Sequence, residues 1–293
     1  MPVATSPLLP WFAFAACTLI WGSTWLAHKW ALADLTPLGL ASLRFSTAGV
    51  LCLMVARLSG ERFVRRAELP SLLLAGVLMA GAANVITAWS LQYIPSGVGA
   101  VLQAPIPVWL ALLSWRSDPM RLLAWLAVLL GFAGVGLVVW KGEGGAIDPL
   151  AALVCAATPL AWSWGSLHQR ARVHSGGLFA NAGTQMLFSG LLCVALTSAL
   201  GSYTQHGDVG QRAWISAAWL IVGGSCIAFA SYQYLAKVWH PARAGSFSYL
   251  NPVIAVLLGW ALGGEALGLQ LILGMGVVLV SVAALQAATR SKD

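Results

Sequence analysis

PSGVGAVLQAPIPVWLALLSW, residues 95–115, is an apolar run that two interior prolines and a glutamine interrupt. A similar run, PARAGSFSYLNPVIAVLLGW, follows at residues 241–260. The prolines that open the two runs are 146 positions apart, and the prolines in their middle, Pro107 and Pro252, are 145 apart. Self-similarity at a fixed offset indicates an internal repeat. The sequence therefore predicts a chain made of two related halves.

The composition is that of a membrane protein. The 293 residues are 59% hydrophobic and 9% charged, with a mean hydropathy of +0.81, whereas soluble domains are about a quarter charged. A helix that crosses the hydrocarbon core needs about 20 apolar residues. The five cysteines fall in apolar runs without metal-ligand spacing, so we expect no metal site and no cofactor.

Apolar runs bounded by charged residues, glycine or proline predict an all-α membrane protein with ten transmembrane helices. The predicted helices cover approximately residues 9–29, 37–57, 69–92, 95–115, 121–140, 149–169, 176–200, 213–236, 242–262 and 267–287. Each half, 1–145 and 146–293, then holds five helices. Because five is odd, the second half must enter the membrane from the opposite side. Two inverted five-helix repeats around a central cavity are a transporter architecture.

The positive charges predict the orientation. With the N-terminus in the cytoplasm, 12 of the 16 Lys and Arg residues lie at cytoplasmic ends, 3 lie outside, and Arg44 lies within a helix. This bias favours cytoplasmic N- and C-termini in a cell membrane, the inner membrane if the chain is bacterial. The charges are dispersed in short clusters, so we expect the lipid bilayer and no nucleic acid as a partner. The sequence is compatible with a monomer.

Four prolines inside the predicted helices are candidate helix breaks with a role in gating. They are Pro105, Pro107, Pro159 and Pro252. Each lacks a backbone donor and frees the carbonyl four residues earlier. Unsatisfied backbone groups in lipid are costly, so these carbonyls should face protein or water. We expect the broken helices to line a path through the membrane, with a simple packing kink as the alternative for a single proline.

The order of several motifs resembles the drug/metabolite transporter superfamily in its ten-helix EamA form. The motifs are LIWGSTW (19–25) followed by Lys29, ASLRF in the second helix, and SYLNPVIAVLLGWALGGEALGLQLILGMGVVLV at 248–280. The resemblance covers essentially the whole chain. It implies two five-helix bundles, a central cavity and movement of small metabolites, commonly outward, as in the amino-acid exporters of this group, including the aromatic amino-acid type.

The two halves differ at one acidic position within the motifs that carry the resemblance. The second half has Glu265, whereas the first half has Asp118-Pro119 instead. Asp before Pro is typical of a helix N-cap and first helical residue. We expect Glu265 to act in the same way at the start of the tenth helix.

Polar and aromatic side chains within the predicted helices form the candidate substrate site, because polar groups in spans favour the bundle interior or a wet cavity. They are Trp21, Trp25, Asn84, Thr87, Gln103, Trp162, Trp164, Gln185, Tyr232, Ser248, Tyr249 and Asn251. Hydrogen bonding between helices, or filling of the bundle, is the alternative role for each. Gln103 and Tyr249 are favoured, since both lie just before an expected break.

Two basic residues, Arg44 and His28, are close to this set in the predicted helices. Arg44 is the one clear charge within a span; it either supports a cluster of carbonyls or attracts a substrate carboxylate, and the structural role is favoured. His28 shares a helix face with Trp21 and Trp25, and we expect it near the outer surface.

No Asp or Glu lies deep in a predicted span, which disfavours the exchange of protons for organic cations. The sequence predicts a facilitator (uniporter) that moves neutral or zwitterionic metabolites outward by alternating access, above all amino acids, including aromatic ones. The alternatives are an exporter of other metabolites or drugs, a proton-coupled exporter, and a carrier of phosphorylated metabolites, which should show clustered Lys and Arg. An intramembrane enzyme is not expected, because the sequence offers neither a nucleophile with its base nor paired deep aspartates.

Overall fold

The computed structural model describes residues 8–115, 122–139, 147–172, 174–239 and 247–290. These residues form ten helices and no strand, and each helix overlaps one predicted span. The helices are α1 (Leu9–Ala31), α2 (Pro37–Leu58), α3 (Arg66–Ser90), α4 (Ser96–Gln103 and Ile106–Ser114), α5 (Leu122–Val139), α6 (Pro149–Arg170), α7 (Leu178–Leu200), α8 (Gln211–Val238), α9 (Phe247–Gly263) and α10 (Leu269–Arg290). The prediction of an all-helical membrane protein is confirmed.

Seven of these helices are long and apolar enough to cross a membrane as described: α1, α2, α3, α4, α6, α7 and α8. The other three contain shorter apolar stretches, Leu122–Val138, Leu250–Gly263 and Leu269–Leu285. Asp118-Pro119, the acidic pair of the first half, lies outside the described residues.

Contacts between the connections show which helix ends share a face. The α1–α2 connection meets the α7–α8 connection, where the backbone N–H of Gly210 donates to Asp34 Oδ2 at 2.8 Å. At the opposite face, the α2–α3 and α6–α7 connections meet, and Gly177 N–H donates to the carbonyl of Arg62 at 2.9 Å. Therefore α2 begins, and α7 ends, at the first face. The second helices of the two halves run in opposite directions, which favours the predicted inversion.

The two halves are interleaved rather than packed as separate five-helix bundles. The most extensive helix pairings join the halves: α2 with α7, α5 with α10, and α1 with α8. In the α2–α7 pair, a Cβ at Gly49 would strike the backbone of Leu187, and a Cβ at Gly190 would strike the backbone of Ser46. Small residues thus allow these two backbones to approach closely, as is typical of membrane helix pairs.

The prolines interrupt only one helix. The helix α4 is broken at Ala104 and Pro105, and Pro107 is the second residue of its second segment, where a missing N–H costs little. The expected breaks at Pro159 and Pro252 are wrong, because α6 and α9 continue through them. The physical reason is that α4 loses two donors two residues apart, whereas α6 and α9 each lose one.

Each half also contains a π-helical segment in its third helix, which the sequence analysis did not predict. The segments are Val77–Ala82 in α3 and Leu220–Ala228 in α8. A π-helix accommodates an extra residue in the turn and redirects the side chains near it, often at functional sites. In this structure, residues within each π-helical segment, and residues that follow each segment directly, line the space between the halves.

Glu265 caps a helix of the other half, and the expected role at the start of α10 is wrong. Its carboxylate accepts the backbone N–H groups of Ser96 at 2.7 Å and of Gly97 at 3.0 Å, the first residues of α4. Lys29 of α1 donates to the carbonyl of Leu91 at 2.8 Å, in the turn just before α4. A carboxylate at a helix N-terminus satisfies free donors and complements the helix dipole. The tertiary structure therefore fixes the start of the broken helix.

Removing the carboxylate of Glu265 should destabilise the protein. Replacement by alanine leaves two N–H groups of α4 without a charged acceptor, which we expect to cost about 2 kcal/mol. In detergent, Glu265→Ala should lower the unfolding temperature, and Glu265→Gln should lower it less, because an amide oxygen can still accept one bond. The control is Asp208→Ala, which removes an exposed carboxylate from the α7–α8 connection. Equal unfolding temperatures for Glu265→Ala and the control would contradict the capping role.

The inverted insertion predicts opposite labelling of equivalent connections. Ser59 follows α2 and Asp208 follows α7, and both residues are exposed. In a background free of the native cysteines, a membrane-impermeant maleimide should label Asp208→Cys in intact cells, and should label Ser59→Cys only after lysis. Labelling of both positions from one side would exclude inverted halves.

Candidate functional site

A cavity lies between the two halves, lined by α1, α2, α3, α4, α6, α7, α8 and α9. It offers about 130 Å³ to the centres of water molecules, which is room for several waters or for part of a small solute. Its walls are mostly apolar and aromatic, with a few polar groups, as is usual for small-molecule sites.

The structure brings most of the predicted site residues to this cavity. Those that line it are Trp21, Trp25, Asn84, Thr87, Gln103, Trp162, Ser248, Asn251 and Pro252. They come from five helices, three of the first half and two of the second. Polar residues scattered over the sequence therefore share one space.

Several predicted residues lie elsewhere. Trp164 is 59% exposed, because two residues along a helix turn the side chain by roughly 200° away from Trp162. Gln185 is fully buried beside α3, where neither amide atom has a hydrogen-bond partner among the described residues. Tyr232 packs behind the cavity wall against Trp21, 5.6 Å between ring centroids. The side chain of Tyr249 lies outside the described part of the structure, and Pro105, Pro107 and Pro159 are not among the lining residues.

An aromatic cluster forms one part of the wall. Trp21 meets Trp162 edge to face at 6.1 Å between centroids and Phe247 at 4.9 Å. Trp162 meets Phe229 at 6.4 Å. The indole Nε1 of Trp21 donates to the carbonyl of Gly224, in the π-helical segment of α8, at 3.0 Å. Edge-to-face packing with a fixed indole N–H gives a rigid apolar surface.

A hydroxyl–amide cluster holds Gln103 at the break of α4. Gln103 Nε2 donates to Thr87 Oγ1 at 2.8 Å and also to Thr158 Oγ1, so that α3, α4 and α6 meet at one amide. Thr158 Oγ1 in turn donates to the carbonyl of Cys155 at 2.7 Å, which is the carbonyl that Pro159 leaves free. The carbonyl of Cys155 is therefore satisfied within the protein.

A buried guanidinium group forms the polar end of the cavity. Arg44 of α2 is 6% exposed. Its Nε donates to Ser225 Oγ at 2.8 Å, and its Nη1 donates to His28 Nε2 at 2.9 Å and to Asn84 Oδ1 at 3.4 Å. Its guanidinium carbon lies 4.9 Å from the ring centroid of Phe45. Side chains from both halves thus converge on one cation.

His28 is neutral in this arrangement. Its Nδ1 lies 2.8 Å from the carbonyl of Thr24, which can only accept, so Nδ1 carries the hydrogen. Its Nε2 faces Arg44, which can only donate, so Nε2 must accept. His28 is 8% exposed and lines the cavity, three residues before the end of α1.

Four further neighbours of the site were not predicted from the sequence: Thr158, Met186, Ser225 and Phe229. Serine, threonine and methionine are common in membrane helices, and only the fold distinguishes those that face the cavity. The position of His28 beside Trp21 and Trp25 agrees with the helical spacing, because it follows Trp21 by seven residues, two turns along the same face. None of the described lining residues is an Asp or a Glu.

Ten helices, two related halves and a small cavity between them define the class of polytopic membrane transporters. The model of the EamA-like transporter family matches residues 9–140 and again residues 149–286. The chain belongs to this family, and the resemblance drawn from its motifs is confirmed. The two separate matches also show that the halves are repeats of one unit.

The similar proteins are named as transporters without a stated cargo. The "uncharacterized inner membrane transporter YedA" of Escherichia coli K12 is 31% identical over 280 residues, which cover 94% of this chain and 90% of that protein. The "uncharacterized transporter YvbV" of Bacillus subtilis is 22% identical over 281 residues, covering 92% and 88%. A solved crystal structure shares the fold with a TM-score of 0.69 and 21% identity, and covers 98% of this chain and all of its own.

The link between Thr158 and Pro159 predicts a non-additive pair of substitutions. Thr158→Val removes the donor to the Cys155 carbonyl, and should lower stability by about 1–3 kcal/mol in detergent. In a Pro159→Ala background the restored backbone N–H can satisfy that carbonyl, so the cost of Thr158→Val should shrink by half or more. The control is Thr184→Val, whose hydroxyl donates to the Ala180 carbonyl without a proline nearby. Additive effects in the thermal unfolding cycle would contradict this account.

Proposed function

We propose that this transporter is a facilitator that moves small neutral or zwitterionic metabolites, above all amino acids with apolar or aromatic side chains, outward by alternating access. The supporting observation is the cavity between the halves, which combines a rigid aromatic wall with hydroxyl, amide and guanidinium donors and has no carboxylate among its described lining residues.

The aromatic wall suits an apolar side chain of the cargo. Trp21 and His28 lie seven residues apart on α1, about 10 Å along the helix axis. A solute of amino-acid size can therefore span from the aromatic cluster to the polar end. Tryptophan faces hold apolar groups with little demand on shape, which fits a range of related cargoes.

The absence of a titratable carboxylate in the described lining favours uniport. A proton-coupled exporter needs a group that binds a proton in one conformation and releases it in the other. The titratable candidate on the described wall is His28, whose two nitrogens are both committed in hydrogen bonds. The gradient of the cargo itself would then set the direction of net movement.

Alternating access would move the two repeats, 1–145 and 146–293, relative to each other. The broken helix α4 belongs to the first repeat and is capped by Glu265 of the second. This contact joins the two repeats at the start of α4. The break at Pro105 and Pro107 allows the two segments of α4 to move separately, which supports a role of these prolines in gating.

A carrier of phosphorylated metabolites fits less well. Such a cargo carries close to two negative charges, and the described cavity wall holds one cation, Arg44, beside a neutral His28. An exporter of cationic drugs is also disfavoured, because the same guanidinium would repel the cargo.

Uptake by the purified protein in liposomes tests the proposal. Labelled phenylalanine, tryptophan and leucine should enter protein-containing liposomes down their own gradient, at the same initial rate with and without a pH gradient. Empty liposomes and liposomes with heat-inactivated protein are the blanks. Uptake that requires the pH gradient would replace uniport by proton coupling, and no uptake of any amino acid would overturn the cargo class.

The same assay tests the place of Gln103 in the site. Gln103→Ala should lower the initial rate several-fold, because the amide that joins Thr87 and Thr158 at the cavity is lost. Gln270→Ala is the matched control, since Gln270 donates to the Leu137 carbonyl at 2.6 Å away from the cavity. Equal rates for both variants would remove Gln103 from the site.

A further inference from the structure

We infer that Arg44 is a receptor for a carboxylate of the cargo, so that the cavity selects organic monocarboxylates with an apolar or aromatic body. The inference rests on the proposed function in one respect: it takes this cavity as the cargo site. It adds that the cargo carries a carboxylate and that Arg44 binds this carboxylate.

The positive charge of Arg44 has no counter-ion in the described structure. The guanidinium is nearly fully buried, and no Asp or Glu among the described residues forms an ion pair with it. A charge in the middle of a bilayer is costly and is normally paired. The polar side chains that touch Arg44 are a serine, a histidine and an asparagine, and none of these brings a negative charge.

The hydrogen-bond capacity of Arg44 is also incompletely used. Arginine has five N–H donors. The bonds in the structure involve Nε and Nη1, and Nη2 has no partner among the described residues. This nitrogen lies beside Gly224, where an added Cβ would come within 3.2 Å of it. A glycine at this point keeps space open next to the two free donors.

The neighbours of Arg44 orient it rather than neutralise it. Asn84 Nδ2 donates to the Met79 carbonyl at 2.8 Å, which leaves its Oδ1 to accept from Nη1. His28 is anchored through Thr24, and Ser225 is 1% exposed within the π-helical segment of α8. Because these partners are themselves fixed, the guanidinium is held in place before any ligand arrives, which reduces the cost of binding.

The repeat shows that helix packing at this position does not require a charge. Arg44 in α2 corresponds to Gln185 in α7, since Ala41, Gly49 and Cys52 match alanine, glycine and cysteine in α7 at the same offset of 141. Gln185 is fully buried within the same α2–α7 region and is uncharged. Among the described lining residues, the one cation is Arg44 of the first half, and the equivalent position of the second half is packed without a charge.

The chemistry of the site favours a carboxylate over a phosphate. A guanidinium binds carboxylates through charge-assisted hydrogen bonds, and the one cation on the described wall balances a single negative charge. Trp21, which lines the cavity, donates to the carbonyl of Gly224, the residue beside Nη2. A carboxylate on Arg44 therefore leaves the rest of the molecule next to the aromatic cluster.

Binding to the purified full-length protein in detergent tests the inference with matched ligand pairs. The pairs are L-phenylalanine with L-phenylalaninamide, and phenylacetate with phenylacetamide. Affinities are measured from ligand-induced shifts of the unfolding temperature and from tryptophan fluorescence titrations. The wild type should bind each acid at least tenfold more tightly than its amide, and phenylphosphate should bind no more tightly than phenylacetate.

Substitutions link that preference to Arg44. Arg44→Gln should abolish the preference for the acid and leave amide binding within about twofold, and Arg44→Lys should retain part of the preference. Arg57→Gln, which removes the same charge from the exposed end of α2, is the control and should behave as the wild type. If Arg44→Gln does not fold, Gly224→Ala gives a second test, because an added Cβ would lie 3.2 Å from Nη2 and 3.0 Å from Thr24 Cγ2. It should weaken binding of the acids more than binding of the amides.

The results separate this inference from the proposed function. A wild type that shows no preference for acids, or that binds none of the four ligands, overturns the carboxylate site, as does a preference that survives Arg44→Gln and Gly224→Ala. Tenfold tighter binding of phenylphosphate than of phenylacetate would replace the carboxylate by a phosphate. Uptake that depends on a pH gradient would instead contradict the uniport mechanism and would leave the carboxylate site unaffected.

Discussion

Hydrocarbon offers no hydrogen-bond partner, so every polar group that the ten helices carry into the bilayer has to find one within the protein. This constraint accounts for features that look unrelated in the sequence. The hydroxyl of Thr158 donates to the carbonyl of Cys155, which Pro159 leaves without a backbone donor. The carboxylate of Glu265 accepts the first N–H groups of α4. The accounting stays open for several buried groups, among them the amide of Gln185, and for one buried cation, Arg44, whose neutral partners leave both its charge and Nη2 unmatched.

The two halves share a plan but differ where the cavity forms. Both third helices contain a π-helical segment, and the second helices pack backbone to backbone. By contrast, α4 is broken whereas its counterpart α9 is continuous, and Arg44 corresponds to the uncharged Gln185. Such asymmetry gives the cavity a polar end and an aromatic wall, so a bound solute meets different chemistry along its length.

The placement of candidate residues was predictable where helical periodicity decided it. Trp21 and Trp25 are one turn apart and both line the cavity. Trp162 and Trp164 are two residues apart and cannot share a helix face, so only Trp162 reaches it. Gln185 shows the limit of this reasoning, because burial in a membrane helix is compatible either with a cavity or with a helix seam, and the partner helix determines which one applies.

The sequence by itself determined the membrane class, the ten helices, the repeat and the family, because these depend on hydropathy and on the order of residues along one chain. Only the tertiary structure decided what Glu265 caps and that Ser225 binds Arg44. These outcomes depend on contacts between residues more than a hundred positions apart. A local pattern cannot specify them, because a polar group within a membrane protein takes the partner that the packed helices bring to it.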